Sequence, residues 1–183
     1  MEYTANQVTL KNGKTCVIRR GEEKDAQTLL DYWEATARET RNLAREPEEY
    51  GLTPEEVREL IREKNGLDEA LNLLAFVDGR CVGSGAFNPA DEGSRTRHRC
   101  SVGIVLYREF WGLGIGTALL GEVLACARKA GYEQAELNVA STNAAAIGLY
   151  EKLGFETVGT IPRAMKYRDG SYADFLLMVK SLL

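Results

Sequence analysis

The chain has few of the residues from which metal sites and disulfide frameworks are built. Its 183 residues include one histidine, His98, and four cysteines with no CxxC pair among them. A zinc site needs several such ligands at short spacing, so we expect no metal. We expect the cysteines to be reduced and mostly buried thiols; they are Cys16, Cys81, Cys100 and Cys126.

Long apolar stretches and an excess of positive charge are also missing. No run approaches the roughly 20 apolar residues of a membrane span, and the first residues lack the basic and apolar parts of a signal peptide. The formal net charge is −4, whereas nucleic-acid-binding proteins are more often basic. We therefore expect a soluble, cytoplasmic protein whose main partner is neither a membrane nor nucleic acid.

Length and composition are those of an ordinary globular domain. Hydrophobic residues make up 44% of the chain and charged residues 27%, which is a normal balance. A chain of 183 residues can form one sizeable core. Because no linker, repeat or low-complexity tract interrupts it, residues 1–183 are expected to form a single domain.

Hydrophobic periodicity and turn signals predict an order of elements that mixes hairpins with one crossover. Helices are predicted at residues 22–41, 54–64, 143–153 and from the glycine-rich turn to about 130. Strands are predicted at 15–20, 71–77, 80–87, 98–106, 134–139, 155–161, 164–168 and 172–179. Hairpins around a single βαβ unit imply a mixed sheet covered by helices, in the α/β (α+β) class.

The most informative segment covers residues 106–120. An apolar run leads into a turn that holds Gly112, Gly114 and Gly116, and a helical pattern follows at once. Glycines let the backbone approach a ligand closely, and the first N–H groups of a helix have no partner within it. The segment is typical of a site for a phosphate-bearing ligand.

Two familiar kinds of phosphate site fit this segment poorly. A P-loop has a lysine directly after its last glycine, and no lysine stands near Gly116. A dinucleotide fingerprint has the spacing Gly-x-Gly-x-x-Gly, which differs from the one here, although Glu136 follows about 20 residues later, as that fingerprint requires. A nucleotide-dependent oxidoreductase is therefore a distant alternative.

A third kind of site fits better. The segment Trp111-Gly-Leu-Gly-Ile-Gly116 resembles motif A of the GNAT superfamily of N-acetyltransferases, whose pattern is Gln/Arg-x-x-Gly-x-Gly/Ala. Gly114 and Gly116 match the two pattern glycines. Trp111 occupies the Gln/Arg position and removes one side-chain contact to the cofactor phosphates, which the backbone cradle does not require.

A second segment, residues 137–155, resembles motif B of the same superfamily. Asn143 precedes Tyr150 by seven residues, and Tyr150 lies in a Leu-Tyr-Glu-Lys-Leu-Gly-Phe block. Seven residues are about two helical turns, so both side chains share one face. The resemblance implies a mostly antiparallel sheet of about seven strands with about four flanking helices and one splayed parallel pair. The cofactor-binding core is expected at about residues 98–155.

The resemblance also implies a function, the transfer of an acetyl group from acetyl-CoA to a primary amine of a small molecule or of a peptide or protein. Backbone N–H groups of the glycine turn would hold the pyrophosphate, and one near Leu106 would stabilise the oxyanion. Asn143 would contact the pantetheine arm, and Tyr150 would protonate the departing thiolate. The expected cofactor-binding residues are Leu106, Gly112, Leu113, Gly114, Ile115, Gly116, Thr117 and Asn143.

Three questions stay open at this point. No carboxylate stands in the strand at 98–106, so the general base is not identified; His98 either serves as that base or is a strand-end residue with an ordinary hydrogen bond. The loop between the first two helices either attracts an ammonium group or is simply solvated; it carries Glu46, Glu48, Glu49 and Tyr50. A non-catalytic acyl-CoA-binding sensor or regulatory module is the alternative function. The resemblance also implies a possible homodimer, since dimers are common in the superfamily.

Overall fold

The computed structural model describes residues 2–91 and 93–183. Within them lie eight strands, β1 Asn6–Thr9, β2 Thr15–Arg20, β3 Leu71–Val77, β4 Arg80–Pro89, β5 Arg99–Leu106, β6 Gln134–Ala140, β7 Glu156–Lys166 and β8 Tyr172–Ser181. They form one sheet in the order β1-β2-β3-β4-β5-β6-β8-β7. Every neighbouring pair is antiparallel except β5 and β6. The predicted mixed, mostly antiparallel sheet is confirmed.

Four α-helices flank the sheet in the described residues, as predicted. They are α1 Ala26–Glu39, α2 Pro54–Gly66, α3 Ile115–Lys129 and α4 Ala144–Lys152. The start of α2 shows how the sequence sets a helix end: Glu56 N–H donates to the Thr53 hydroxyl, and Thr53 N–H donates to the Glu56 carboxylate. None of the helices in residues 2–91 and 93–183 is long and apolar enough to cross a membrane.

The first strand was not predicted. β1 contains only one large apolar residue, Val8, so it carries almost no hydrophobic pattern. It is held by pairing with β2 and by contacts to α3, where the Tyr3 hydroxyl and the Asn6 amide donate to Glu122 at 3.1 and 2.7 Å. Glu122 is more than 100 residues from Tyr3 and Asn6 in sequence, so local propensity could not predict these two contacts.

Most other elements lie within two residues of their predicted ends, but two regions differ in more than length. The predicted helix 22–41 begins with a separate 3-10 turn at Glu23–Asp25 and ends at Glu39. The two predicted strands 155–161 and 164–168 are one strand, β7, whose pairing with β8 shifts between Ile161 and Met165. Arg163 lies within this bulge at φ +52° and donates its N–H to Asp174 at 2.7 Å.

The helices pack on opposite faces of the sheet. Leu73 and Leu74 are neighbours on β3 and belong to two different buried clusters, because successive side chains of a strand point to opposite faces. The Leu73 cluster contains α3 residues such as Leu119, whereas the Leu74 cluster contains Leu29 of α1 and Val57 of α2. Thus α3 covers one face of the sheet, and α1 and α2 cover the other.

The parallel pair separates after a short stretch. β5 and β6 pair only through Arg99↔Gln134, Cys100↔Ala135 and Ser101↔Glu136, and an ion pair of 2.6 Å joins Arg99 to Glu136 there. β5 stays paired with β4 as far as Leu106. A gap therefore opens between β5 and β6 in the middle of the sheet, as the predicted splay requires.

Candidate functional site

A cavity of about 740 Å³ lies where β5 and β6 separate; we call it the donor cavity. Most of the predicted site residues line it, namely Leu106, Gly112, Gly114, Gly116, Thr117, Asn143 and Tyr150. Two predicted residues do not. The Ile115 side chain is fully buried in the core, and Leu113 packs against the core while its carbonyl accepts from Lys11 N–H. The fold thus brings together the two motifs, which are separated by more than 20 residues in sequence.

The glycine turn leads directly into α3. Gly112 and Gly114 have φ angles of +75° and +97°, which side chains of L-residues disfavour. The first internal hydrogen bond of α3 joins Ala118 N–H to Gly114 C=O at 3.1 Å. The N–H groups just before it, at residues 115–117, have no partner within the helix and carry the positive end of its dipole. Such a helix start favours an anion.

The edge of β5 that faces the gap presents backbone groups. Tyr107 N–H donates to Val82 C=O at 3.1 Å, so residue 107 directs its peptide groups toward β4. Because direction alternates along a strand, Leu106 directs its N–H and C=O into the gap. The Leu106 carbonyl accepts a hydrogen bond of 3.1 Å from the Trp111 indole. The Leu106 N–H therefore faces the gap and not β4.

The start of α4 lies across the gap. Asn143 is the N-cap of this helix, and its side-chain oxygen accepts from Ala146 N–H at 3.3 Å. This cap fixes the orientation of the amide, because the oxygen is already bonded. Its NH₂ group is the part that remains for a ligand.

Tyr150 lies on the buried face of α4. Its side chain is 6% exposed, and its ring packs edge-on against Phe155 with 5.7 Å between centroids. Burial raises the pKa of Tyr150 to about 12. A phenol with this pKa keeps its proton at neutral pH and can donate it into the cavity.

The charges around the donor cavity have one sign. Its lining, within the described part of the chain, includes Lys11 and Lys152 but no aspartate, glutamate or histidine. His98 precedes β5 at the end opposite Leu106, about 25 Å away along an extended strand. His98 is not among the residues that line the donor cavity, and this position supports the alternative interpretation of His98 as an ordinary residue at the strand end.

A second cavity, of about 1020 Å³, adjoins the first; we call it the acceptor cavity. It lies between the α1–α2 loop and the β7–β8 hairpin, and residues 40 and 42–44 line both cavities. These residues therefore form a border that is common to the two cavities.

Two arginines connect the walls of the acceptor cavity. Arg168 of the hairpin bonds to Glu48 at 2.6 Å and lies 3.5 Å from Glu46. Arg41 of the loop bonds to Asp169 at 3.1 Å, and its guanidinium stacks 3.8 Å from the Tyr167 ring centre. Sequence analysis missed both arginines, because their partners lie more than 100 residues away.

The acidic loop therefore differs from an ammonium site, which was one of the two alternatives left open for it. Glu46 and Glu48 already pair with Arg168, and the Glu49 carboxylate accepts from the Glu46 N–H at 2.8 Å. The Tyr50 ring packs against Trp33 with 6.3 Å between centroids. The loop is thus mainly a wall of the acceptor cavity.

The cysteines are structural. All four are buried and unpaired by disulfides. Burial raises the pKa of Cys81 to about 11 and that of Cys100 to about 12, which keeps both thiols protonated and unreactive. In residues 2–91 and 93–183 no group of three or more His, Cys, Asp or Glu side chains is placed to hold a metal ion.

Known proteins are similar to this chain in sequence and in fold. Residues 37–155 match the sequence model of the acetyltransferase (GNAT) family. The L-amino acid N-acetyltransferase AaaT of Escherichia coli (strain K12) is 30% identical over 126 residues, which are 67% of this chain and 74% of that protein. The crystal structure of the acetyltransferase of GNAT family from Streptococcus pneumoniae has a TM-score of 0.85 at 31% identity, covering 91% of this chain and 98% of that one.

A more distant structure shares the fold alone. The yncA protein of Salmonella typhimurium, solved with its cofactor acetyl-CoA, has a TM-score of 0.81 at 19% identity, covering 92% of this chain and 94% of that one. The family match in sequence spans the glycine turn at the start of α3 and the Asn143–Tyr150 helix that together border the donor cavity. The chain belongs to the GNAT family of acetyltransferases.

Proposed function

We propose that this protein transfers the acetyl group of acetyl-CoA to a primary amine, with an α-amino acid as the first acceptor class to test. One observation carries the proposal: the gap between β5 and β6 leads onto an anion-binding helix start, and its described lining contains no acidic residue. Coenzyme A has a strand-like arm with two amides and a negatively charged end, which such a cavity can accommodate. Family membership supports the same donor.

The residues of the donor cavity divide the binding of acetyl-CoA among them. Backbone N–H groups at residues 115–117 would hold the diphosphate. The edge of β5 would pair with the arm, and the Asn143 NH₂ would donate to one of its carbonyls. These assignments place the thioester near Leu106, where the arm reaches the middle of the sheet.

The chemistry is a direct transfer between two bound substrates. The amine nitrogen attacks the thioester carbonyl, the C–S bond breaks, and the acetyl group becomes an amide. Leu106 N–H would stabilise the negative oxygen, and one such donor contributes about 3 kcal/mol in other enzymes. Tyr150 would give its proton to the departing thiolate, and the amine would lose its proton to water.

The walls of the acceptor cavity support an amino acid as the acceptor. They carry both signs of charge and include Arg45 and Arg108, whose guanidinium groups have no carboxylate partner among the described contacts. A carboxylate on the acceptor would complement such a group. The name of the E. coli relative, which specifies L-amino acids, supports the same class.

A thiol-release assay with acetyl-CoA tests the proposal. The panel contains free amino acids, their amides, polyamines and short peptides, and Tyr150→Phe serves as the matched variant. We expect thiol release with amino acids, and a lower rate with their amides, which lack the carboxylate. Binding of coenzyme A without release for any amine would contradict transfer and favour a non-catalytic acyl-CoA-binding module.

A further inference from the structure

The turn between β1 and β2 carries two lysines in different surroundings. Lys11 lines the donor cavity together with Gly112 and Gly114. Lys14 donates to Asp78 at 2.6 Å and does not line the cavity. The described contacts give Lys11 no carboxylate partner. Its charge thus faces the donor cavity uncompensated, whereas the charge of Lys14 is paired.

The backbone of Lys11 is fixed against the glycine turn. Lys11 N–H donates to Leu113 C=O at 3.2 Å, which joins the two turns directly. Within its own turn, Leu10 N–H donates to Lys14 C=O at 2.8 Å, and Leu10 is 4% exposed in the core. The stem of Lys11 therefore starts from a rigid position beside the N-terminus of α3.

Of the described cations that line the donor cavity, Lys11 is the one that belongs to the glycine turn or to the β1–β2 turn bonded to it. Trp111 lines the cavity, but its only donor, the indole N–H, is used by the Leu106 carbonyl. Lys152 lies at the end of α4, outside both turns, although the Leu149 side chain of that helix packs near Gly116. Among the described cations that line the donor cavity, Lys11 is therefore the one whose backbone is bonded to the glycine turn.

We propose that the Lys11 ammonium binds the diphosphate of acetyl-CoA and completes the anion site begun by the N-terminus of α3. The inference rests on the proposed function, since it presumes that this cavity holds acetyl-CoA. It assigns a phosphate-binding role to a residue that lies outside the family match at 37–155.

Calorimetric titration with coenzyme A and with dephospho-coenzyme A, which lacks the 3′-phosphate, tests it. Lys11→Gln should weaken both ligands by the same factor of about ten, the effect of losing one charge-assisted hydrogen bond. Lys14→Gln removes the same charge from the same turn and should leave both affinities unchanged. Lys11→Arg keeps the charge and should restore most of the affinity.

Each contrary result has a distinct meaning. Equal affinities for Lys11→Gln and Lys14→Gln would overturn the inference while leaving the proposed function intact. A loss seen only with coenzyme A would place Lys11 at the 3′-phosphate and overturn the assignment to the diphosphate. A loss that Lys11→Arg does not restore would show that the charge is irrelevant. Wild-type protein that binds neither ligand would overturn the proposed function itself.

Discussion

The donor and acceptor cavities are neighbours, yet they are built from different kinds of structure. The donor cavity is formed by strand edges, a glycine turn and the starts of two helices, which present backbone groups as well as polar side chains. The acceptor cavity is formed by a loop and a hairpin joined through exposed side-chain ion pairs.

This difference indicates how well each cavity tolerates amino-acid substitutions. Backbone groups at a splayed strand pair depend on the fold and on a few glycines, and many side chains can change without disturbing them. Exposed ion pairs are individually weak, so the acceptor wall can be rebuilt by single substitutions. We therefore expect the donor cavity to be sensitive at few positions and the acceptor cavity to respond mildly at many.

The largest effect is expected at Gly114. Gly114→Val forces a branched side chain into a left-handed conformation, so the turn must move and its N–H groups lose their common direction. Losing two charge-assisted hydrogen bonds of about 1.5 kcal/mol each would weaken coenzyme A binding about 100-fold. Calorimetry measures this change.

Gly170→Val is the matched control for that substitution. Gly170 has φ +81° in the β7–β8 hairpin, where an added Cβ would also meet open space. Gly170→Val should leave the affinity for coenzyme A unchanged and alter only the KM for the acceptor. If both variants lost coenzyme A equally, the contrast between the two cavities would be wrong.

The next effect is on stability, at the ion pair that joins β2 to the N-terminal end of α1. Arg19 donates two hydrogen bonds of 2.7 Å to Asp25, which is only 6% exposed. Burial acts to raise the pKa of Asp25, but the bonds from Arg19 and Glu22 N–H outweigh it and lower that pKa.

Asp25→Asn should reduce the free energy of unfolding by about 2–3 kcal/mol at pH 7, measured by urea denaturation. Because the folded-state pKa of Asp25 is lowered, its contribution is complete above the pKa of the unfolded chain. It is lost as the pH falls through the lowered value. The difference between wild type and variant should therefore shrink in acid, and a constant difference would refute this origin.

Tyr150→Phe removes the proposed general acid from the donor cavity. We expect kcat to fall at least about tenfold while the KM for acetyl-CoA changes little, since the hydroxyl acts on the leaving thiolate. Steady-state kinetics separates the two constants. Turnover like that of the wild type would remove Tyr150 from the mechanism.

The pH dependence sharpens the same prediction. Since the pKa of Tyr150 is raised to about 12, its hydroxyl stays protonated well above pH 10. The wild-type kcat should not decline between pH 8 and 10 through ionisation of this group, as it would for an exposed phenol of pKa about 10. A decline in that range that Tyr150→Phe abolishes would contradict the assignment.

The smallest effect is expected at the acceptor wall. Arg168→Gln breaks the contacts with Glu46 and Glu48, and the acceptor KM should rise about threefold because such pairs are exposed. Coenzyme A affinity should not change. Arg62→Gln, which breaks a 2.8 Å pair with Glu23 outside both cavities, is the control and should alter neither constant.

Much of the donor cavity could be predicted because its signals are local. Gly112, Gly114 and Gly116 stand within five residues of one another, and Asn143 and Tyr150 are two helical turns apart. The acceptor cavity could not be predicted, because Arg168 meets Glu48 across 120 residues. Lys11 and strand β1 were missed because neither belongs to a hydrophobic pattern or a motif.

By itself the sequence determined the strand and helix order, the glycine turn and the helix face shared by Asn143 and Tyr150, because periodicity and backbone preference act over a few residues. Only the tertiary structure decided which charges meet. It paired Glu48 with Arg168, brought Lys11 to Leu113 and placed His98 far from Leu106. Such contacts follow from the packing of distant segments, and short-range sequence patterns carry no information about that packing.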